Sequence, residues 1–409
     1  MITKVTNSTK KVNPFGGIFF VINDLKNKGL SKLIDSQLGK RVKQARYSYS
    51  DIILNWAYCN LCGAERLEDI EKLRDSLDMK LPSHDSLGHV FKSFSRKLIH
   101  INDHEFSIHK PLNKLMVRTA LNLGLLNTQK SYTLDYDNTI IEHQKYDKKM
   151  TYKMIKGYQP GVSFIDKIPV YIEGRNGNSN AAFQITETVE RSLELLEESG
   201  IKIKRFRSDS AAYARPMLKM LDKKGIDFFI RPRKSHKIMD SLADATGWST
   251  IELYRKTYQA KSIDYTPIGG SKYRMVIYRT EAKDEWKYLS VITNNWTMSE
   301  YEIIRFYNQR GEIERNFDDL KNNFNWGHLP FSFLNENTVF MIISAIVSII
   351  YQYLIREFSK KVDFVKRTHR LKNFIYHFIV CSAIMEGEQL QLFTNRDYSG
   401  LIEIPDKII

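Results

Sequence analysis

The run VFMIISAIVSIIYQYLI, from Val339 to Ile355, constrains this chain more than any other segment: 17 residues carry no charge. A helix that is apolar all round sits either in lipid or at the centre of a large core. At 17 residues the run falls just short of the usual bilayer-spanning length of about 20. Ser344, Ser348 and Gln352 recur four apart along it, and such a polar stripe suits packing against other helices. The expectation is a buried core helix with no membrane span. At 409 residues the chain also exceeds what one ordinary core organises, so two or three domains are expected.

The segments on either side differ in period. Up to about residue 128 the apolar spacing is helical, with helices expected over Asp51–Asn60, Arg66–Leu77 and Ser83–Phe94, the last opening behind Pro82-Ser83. Short helices joined by turns suit a helix-turn-helix type of DNA reader, or a bundle packed onto a core. From about 129 to 355 strand-like runs enter, in a part that ends with the apolar helix. Within it, 236–296 is rich in Val, Ile, Thr and Tyr, has a turn-like Gly269-Gly270, and reads as an inserted β-rich subdomain. The remaining 356–409 reads as a helical C-terminal part. The fold class is therefore α/β (α+β), a mixed sheet with a helical domain before it.

Charge narrows the partners. The formal net charge is +15, with 62 basic against 47 acidic residues, which favours a polyanion. No basic amphipathic helix points to an anionic membrane. MITKVTNSTKKVNPFGG lacks the apolar core of a signal peptide, and three cysteines make no disulfide framework. A reducing, cytoplasmic setting is expected. Cys59 and Cys62 invite zinc with His84 and His89 or with His100 and His104, but the intervals exceed those of common fingers. Both cysteines also fall in a helical apolar pattern, where a free thiol behaves as a small hydrophobe. No G-x-S-x-G elbow surrounds Ser208 or Ser210, so a serine hydrolase is not supported.

The chemistry concentrates in RFYNQRGEIERNFDDLKNNF, where Tyr307, Arg310, Glu314 and Lys321 form Y-x2-R-x3-E-x6-K. On a continuous helix their side chains point to about 0°, −60°, −20° and −40°, one face. Such a face holds a divalent metal through Glu314 while Arg310 and Lys321 hold phosphate oxygens. Two strand-like runs upstream supply further carboxylates: SYTLDYDNTII carries Asp135 and Asp137, and KIKRFRSDSAAYA carries Asp209. Of the first pair only Asp137 fits the pattern. Strand-borne aspartates lie where ligands bind in α/β folds. Two of them plus a helix-borne glutamate would bind two Mg²⁺ or Mn²⁺ ions and act on a phosphodiester.

These motifs resemble the DDE transposases of bacterial insertion sequences that carry the Y-x2-R-x3-E-x6-K signature. Asp137-Asn138-Thr139 matches the first acid in its D-x-T setting, Asp209-Ser210-Ala211 the second with its small residues, and Glu314 the third. VITNN at 291–295, FNWGHLPFS at 324–332 and the LDYDNT form extend the likeness over about 130–355. The tract Arg231-Pro232-Arg233-Lys234 after DFFI stands outside it. The resemblance implies an RNase H-like core with a β-rich insertion between the second and third acids. It also implies terminal inverted repeats bound by the N-terminal part, cleavage and joining of 3′-OH ends to target DNA, and at least a dimer when two ends are paired. Tyr307, Arg310 and Lys321 would then position phosphates, and Trp296 or Trp326 would stack a flipped base. Two alternatives use the same residues: a metal-dependent nuclease that does not join strands, and a non-catalytic DNA-binding regulator.

Overall fold

The computed structural model describes residues 12–77, 79–233, 246–267, 270–282, 285–387 and 389–402. The polar N-terminal residues 1–11, Lys234, the start of the expected insertion to 245, Gly269 and residues 403–409 lie outside that set. The chain packs as two units interleaved in sequence. One takes 1–97, 114–126 and 319–409; the other takes 98–113 and 127–318. The division expected at 128 and 355 follows the sequence, whereas packing groups the long apolar helix with the N-terminal helices.

In the first unit that helix runs from Leu334 to Phe358, longer than its apolar stretch, and 94% of its most apolar window is buried. Phe340 meets Trp56 at 5.9 Å and Phe91 at 6.5 Å between ring centres, so the helices Tyr49–Leu61 and His84–Phe94 cover it. It is the core helix of this unit. Ser348 donates to the carbonyl of Ala345 on its own helix, a common way for a helical hydroxyl to be satisfied in a core. Local sequence sets the neighbouring ends. Ser48 and Asp51 form a capping box before Tyr49–Leu61, and Ser83 caps His84–Phe94. Cys59 and Cys62 are buried and free, and burial pushes the Cys59 thiol up to about 12. They pack as hydrophobes. The C-terminal part is less helical than expected: beyond the short helix Leu371–Phe374 it forms an antiparallel hairpin, Ser382–Glu386 with Gln389–Phe393.

The second unit is built on one sheet. Its strands are β1 (Ile99–Ile101), β2 (His104–Ile108), β3 (Ser131–Asn138), and, after the small sheet of β4 (Ile141–Glu142), β5 (Lys149–Met150) and β6 (Lys156–Tyr158), β7 (Gly161–Ile165) and β8 (Ile168–Arg175). Beyond these come β9 (Lys202–Ser208), β10 (Asp227–Ile230), β11 (Ser249–Leu253), β12 (Lys256–Tyr265), β13 (Tyr273–Ala282) and β14 (Glu285–Thr293). The order across the sheet is β1-β2-β8-β7-β3-β9-β10-β14-β13-β12-β11. Its centre, β8-β7-β3-β9-β10, has β7 antiparallel to both neighbours and β3, β9 and β10 parallel. That is the RNase H-like arrangement. Parallel neighbours need crossovers, supplied by the helices Ile185–Glu198 before β9 and Arg215–Lys223 before β10.

Two departures from the sequence expectation bear on the site. The hairpin β1-β2 lies in a stretch read as helical, yet it pairs with β8 and belongs to the sheet. The inserted strands β11–β14 form no separate sheet, because β14 pairs antiparallel with β10 and extends the core. Both faces of the central strands are covered, which is why β8 is buried along its whole length. Ser192 of the helix Ile185–Glu198 bonds Ser163 at 2.9 Å, so that helix covers the face to which Tyr136, the cross-strand partner of Ser163, belongs. The opposite face carries Asp135 and Asp137, since side chains alternate along a strand. Ile303, Ile304 and Tyr307 of the helix Glu300–Asn308 pack there with Phe229, Val276 and Val291.

Gly161 marks a close approach beside this centre. It stands opposite Asn138 in the β3–β7 ladder, and a Cβ at Gly161 would come within 2.2 Å of the Tyr136 hydroxyl. Tyr136 is buried, so it has little room to give. Gly161→Ala is expected to destabilise the protein by about 1–3 kcal/mol, read as a lowered denaturant midpoint.

Candidate active site

The two aspartates of the motif stand at neighbouring strand ends. β3 and β9 run parallel, with Tyr136 opposite Ser208 as their last pair. Asp137 is the next residue on β3, and Asp209 follows directly after β9. The Ser208 hydroxyl donates to the Tyr136 carbonyl at 3.0 Å, which ties the two ends together. Asp209 then caps a short 3-10 turn, its Oδ1 accepting from the Ala211 N–H at 2.9 Å. Glu314 comes from the helix Glu312–Asn323, whose Phe317 meets Phe164 edge-on at 5.4 Å. Phe164 is the cross-strand partner of Asp135, so this helix packs on the face that Asp137 shares. Asn316 donates to the Asp166 carbonyl at 2.8 Å and fixes it there.

Electrostatics links the three acids. Burial pushes the Asp137 carboxyl up to about 6, and the charges of Asp209 and Glu314 push the same way, while Arg310 opposes them. Asp137 Oδ2 accepts from Arg310 Nη2 at 2.6 Å, and its Oδ1 accepts from the Asn138 N–H at 2.8 Å. The carboxylates of Asp137, Asp209 and Glu314 are oxygen donors, the chemistry that Mg²⁺ or Mn²⁺ prefers. Among the described residues they do not close into a three-ligand group. Asp137 instead has a guanidinium as its cation. The donor chemistry suits a divalent ion, and Arg310 supplies the positive charge at Asp137.

The family model of the transposase DDE domain, group 1, matches residues 4–371. The chain belongs to this family. Its members are transposase and nuclease-type enzymes that generally use divalent metal ions. No curated protein matches the chain in sequence. A solved structure described as a piggyBac transposase synaptic complex with hairpin DNA aligns at a TM-score of 0.45 and 11% identity, covering 89% of this chain and 78% of that one.

Within this DDE-family chain the remaining signature residues do not share one regular helix. Tyr307 ends the helix Glu300–Asn308, Arg310 sits in the 3-10 turn Gln309–Gly311, and Glu314 and Lys321 lie on the next helix. The turn coincides with Gly311, a poor helix former. The uniform 100° spacing therefore fails between Tyr307 and Glu314. Tyr307 is only 5% exposed, and its hydroxyl donates to the Ser208 carbonyl at 3.3 Å. This corrects the phosphate contact expected of it: the phenol is a core group that braces the strand end before Asp209. Arg310 contacts Asp137. Lys321 is half-buried about two turns beyond Glu314, past the point where the two units divide.

The tryptophans separate. Trp326 is fully buried and its indole N–H donates to the Met341 carbonyl at 3.1 Å, which rules against base stacking in this conformation. Trp296 is 51% exposed and open to a partner. Asp135 is more than an incidental residue. Arg207 grips it from the neighbouring strand through two bonds of 2.7 Å, and Arg207 Nη1 reaches the Phe306 carbonyl at 2.6 Å. Arg231 had no expected role, yet its N–H points to the same Ser208 carbonyl at 3.4 Å. The tract Arg231-Pro232-Arg233 thus leaves β10 beside the second acid. Its position after a strand was visible in sequence; its nearness to Asp209 follows only from the parallel pairing of β9 and β10.

Proposed function

We propose that this chain is the transposase of a bacterial insertion sequence of the Y-x2-R-x3-E-x6-K group. It binds the terminal inverted repeats, cuts the DNA ends, and joins the freed 3′-OH ends to target DNA. The observation that carries this reading is the convergence of Asp137 and Asp209 at adjacent strand ends, with Glu314 acting electrostatically on Asp137. Asp137, Asp209 and Glu314 would hold two Mg²⁺ ions, with Mn²⁺ as a substitute. When bound, such ions supply an activated water or 3′-hydroxyl and neutralise the leaving oxygen. The chain's own contribution is placement. β3 and β9 fix two acids side by side, Tyr307 braces the second, and the helix Glu312–Asn323 presents the third. Lys321, as a point charge, positions a phosphate flanking the cut.

Duplex DNA is the partner. A groove in the helical part of the first unit supports this: its lining carries Arg41, Arg46, Arg74, Lys80 and His89 against one acid, Asp85. Such a cluster suits a phosphate backbone. Pairing two ends requires a homodimer on DNA, and the setting is the bacterial cytoplasm and its nucleoid. Lys321→Ala is expected to slow strand processing and to lower the salt slope of DNA binding by about one, measured by titration across salt concentrations. An unchanged slope would remove Lys321 from the phosphate contacts.

The test of the whole reading is a Mg²⁺-dependent reaction on duplex DNA bearing the inverted repeats that flank the gene, with a target plasmid present. Joined products are expected. Cleavage without joining would make the chain a nuclease, and DNA binding with no cleavage would make it a regulator.

A further inference from the structure

The two acidic residues on the inner face of β3 are held by arginines in different ways. Asp135 and Arg207 form a two-point pair, and the third arginine donor also has a partner. Each of the three guanidinium nitrogens makes a bond, and both side chains are under a tenth exposed. Asp137 and Arg310 make a single contact, Nη2 to Oδ2, with each side chain 17% exposed. The Arg310 Nε is buried and has no partner among the described residues. A buried donor left unsatisfied carries a cost that a second acceptor would remove. The first arginine is anchored on a strand; the second stands on the 3-10 turn Gln309–Gly311 between two helices.

Arg310 is thus the less committed cation, placed on the carboxylate that is needed elsewhere. One oxygen of Asp137 is taken by the Asn138 N–H and the other by Arg310. An ion binding at Asp137 competes with the guanidinium for that oxygen and for the site's negative charge. Arginine pairs equally well with phosphate oxygens, where its fork makes two bonds. We propose that Arg310 is a resident counter-ion that a divalent cation must displace from Asp137, and that a DNA phosphate accepting the guanidinium couples DNA binding to metal binding. This rests on the reading of Asp137 as a metal ligand. The coupling is reciprocal by linkage: DNA tightens the metal by the factor that the metal tightens DNA. Without DNA, Asp137 stays paired with Arg310.

The test is Mn²⁺ binding, read by electron paramagnetic resonance of the free ion, on the whole chain with and without a non-cleavable duplex. Four proteins are compared: wild type, Arg310→Gln, Arg310→Lys and Asp137→Asn, each checked for folding by circular dichroism. Without DNA, Arg310→Gln is expected to bind Mn²⁺ about tenfold more tightly than wild type, while Arg310→Lys, which keeps the cation, stays near wild type. Duplex should tighten wild type by a similar factor and leave Arg310→Gln little changed, after subtracting the ions that Asp137→Asn and the DNA still hold. Equal or weaker binding by Arg310→Gln would overturn the proposal, as would Arg310→Lys binding as tightly as Arg310→Gln. If Asp137→Asn binds Mn²⁺ as wild type does, the metal reading of Asp137 itself fails, a result distinct from the first two.

Discussion

Glu314→Gln is expected to lower the single-turnover rate of metal-dependent DNA cleavage roughly a thousandfold or more, about 4 kcal/mol of transition-state stabilisation. The substitution keeps size and hydrogen-bonding shape and removes the charge on which a bound ion would depend. Glu314 is exposed in the first turn of its helix, so the amide should be tolerated by the fold. DNA affinity should change by no more than about twofold, and in the direction of tighter binding, because one negative charge beside the phosphates is lost. Rapid-quench cleavage beside equilibrium binding separates the two quantities. A variant that cut at near wild-type rate would remove Glu314 from the chemistry. One that lost DNA binding in parallel would mean that Glu314 supports the surface and not the reaction.

The second large effect distinguishes Asp135 from Asp137, two residues apart on one strand face. Asp135→Ala is expected to destabilise the protein by about 3–5 kcal/mol, because it leaves the Arg207 guanidinium buried without its partner. The loss should appear as a lowered unfolding midpoint in the absence of DNA and metal. Asp137→Asn should leave that midpoint unchanged or raised while abolishing cleavage. Burial raises both carboxyls, so the difference lies in the arginine. Arg207 grips Asp135 at two points with both side chains under a tenth exposed, whereas Arg310 makes one contact with Asp137 and each side chain is 17% exposed. The Asp137 carboxyl is pushed up from its ordinary 3.8 to about 6, so the folded chain holds a proton there that the unfolded chain has released. Stability from this group therefore falls as pH rises between about 4 and 6, and the ionised carboxylate is a burden on the fold at neutral pH. An amide lifts that burden. Equal destabilisation by the two substitutions would contradict the division into a structural and a functional acid.

The sequence displayed the acids and hid their setting. Alternation in SYTLDYDN showed a strand with Asp135 and Asp137 on one face, and the structure places both there. Which of the two is structural depended on Arg207, a residue 72 positions away, and no local pattern reports a partner at that distance. The helical period carried the signature residues only in part, because three residues in 3-10 geometry shift every angle beyond them. It also carried no sign that Tyr307 would turn inward. The long apolar helix was legible because composition alone demands burial. The hairpin β1-β2 was not, although IHINDHEFSI alternates around an Asn-Asp turn and Asn102 adopts a positive φ of 53°. The helical runs on either side outweighed a three-residue strand. The described part of the insertion is β-rich, as expected, but whether strands extend a sheet or start another is decided by edge pairing at β10, which composition does not encode.

The proposed function stands on Asp137, Asp209 and Glu314 forming one metal site on DNA. Iron-mediated cleavage of the protein chain tests it most directly: Fe²⁺ with ascorbate and peroxide cuts the backbone close to where the ion binds. With the full chain held on a non-cleavable duplex of its terminal repeat, cuts are predicted near residues 137, 209 and 314, suppressed together in Asp137→Asn and by excess Mg²⁺. Cuts confined to other segments, or the same cuts in Asp137→Asn, would contradict the account.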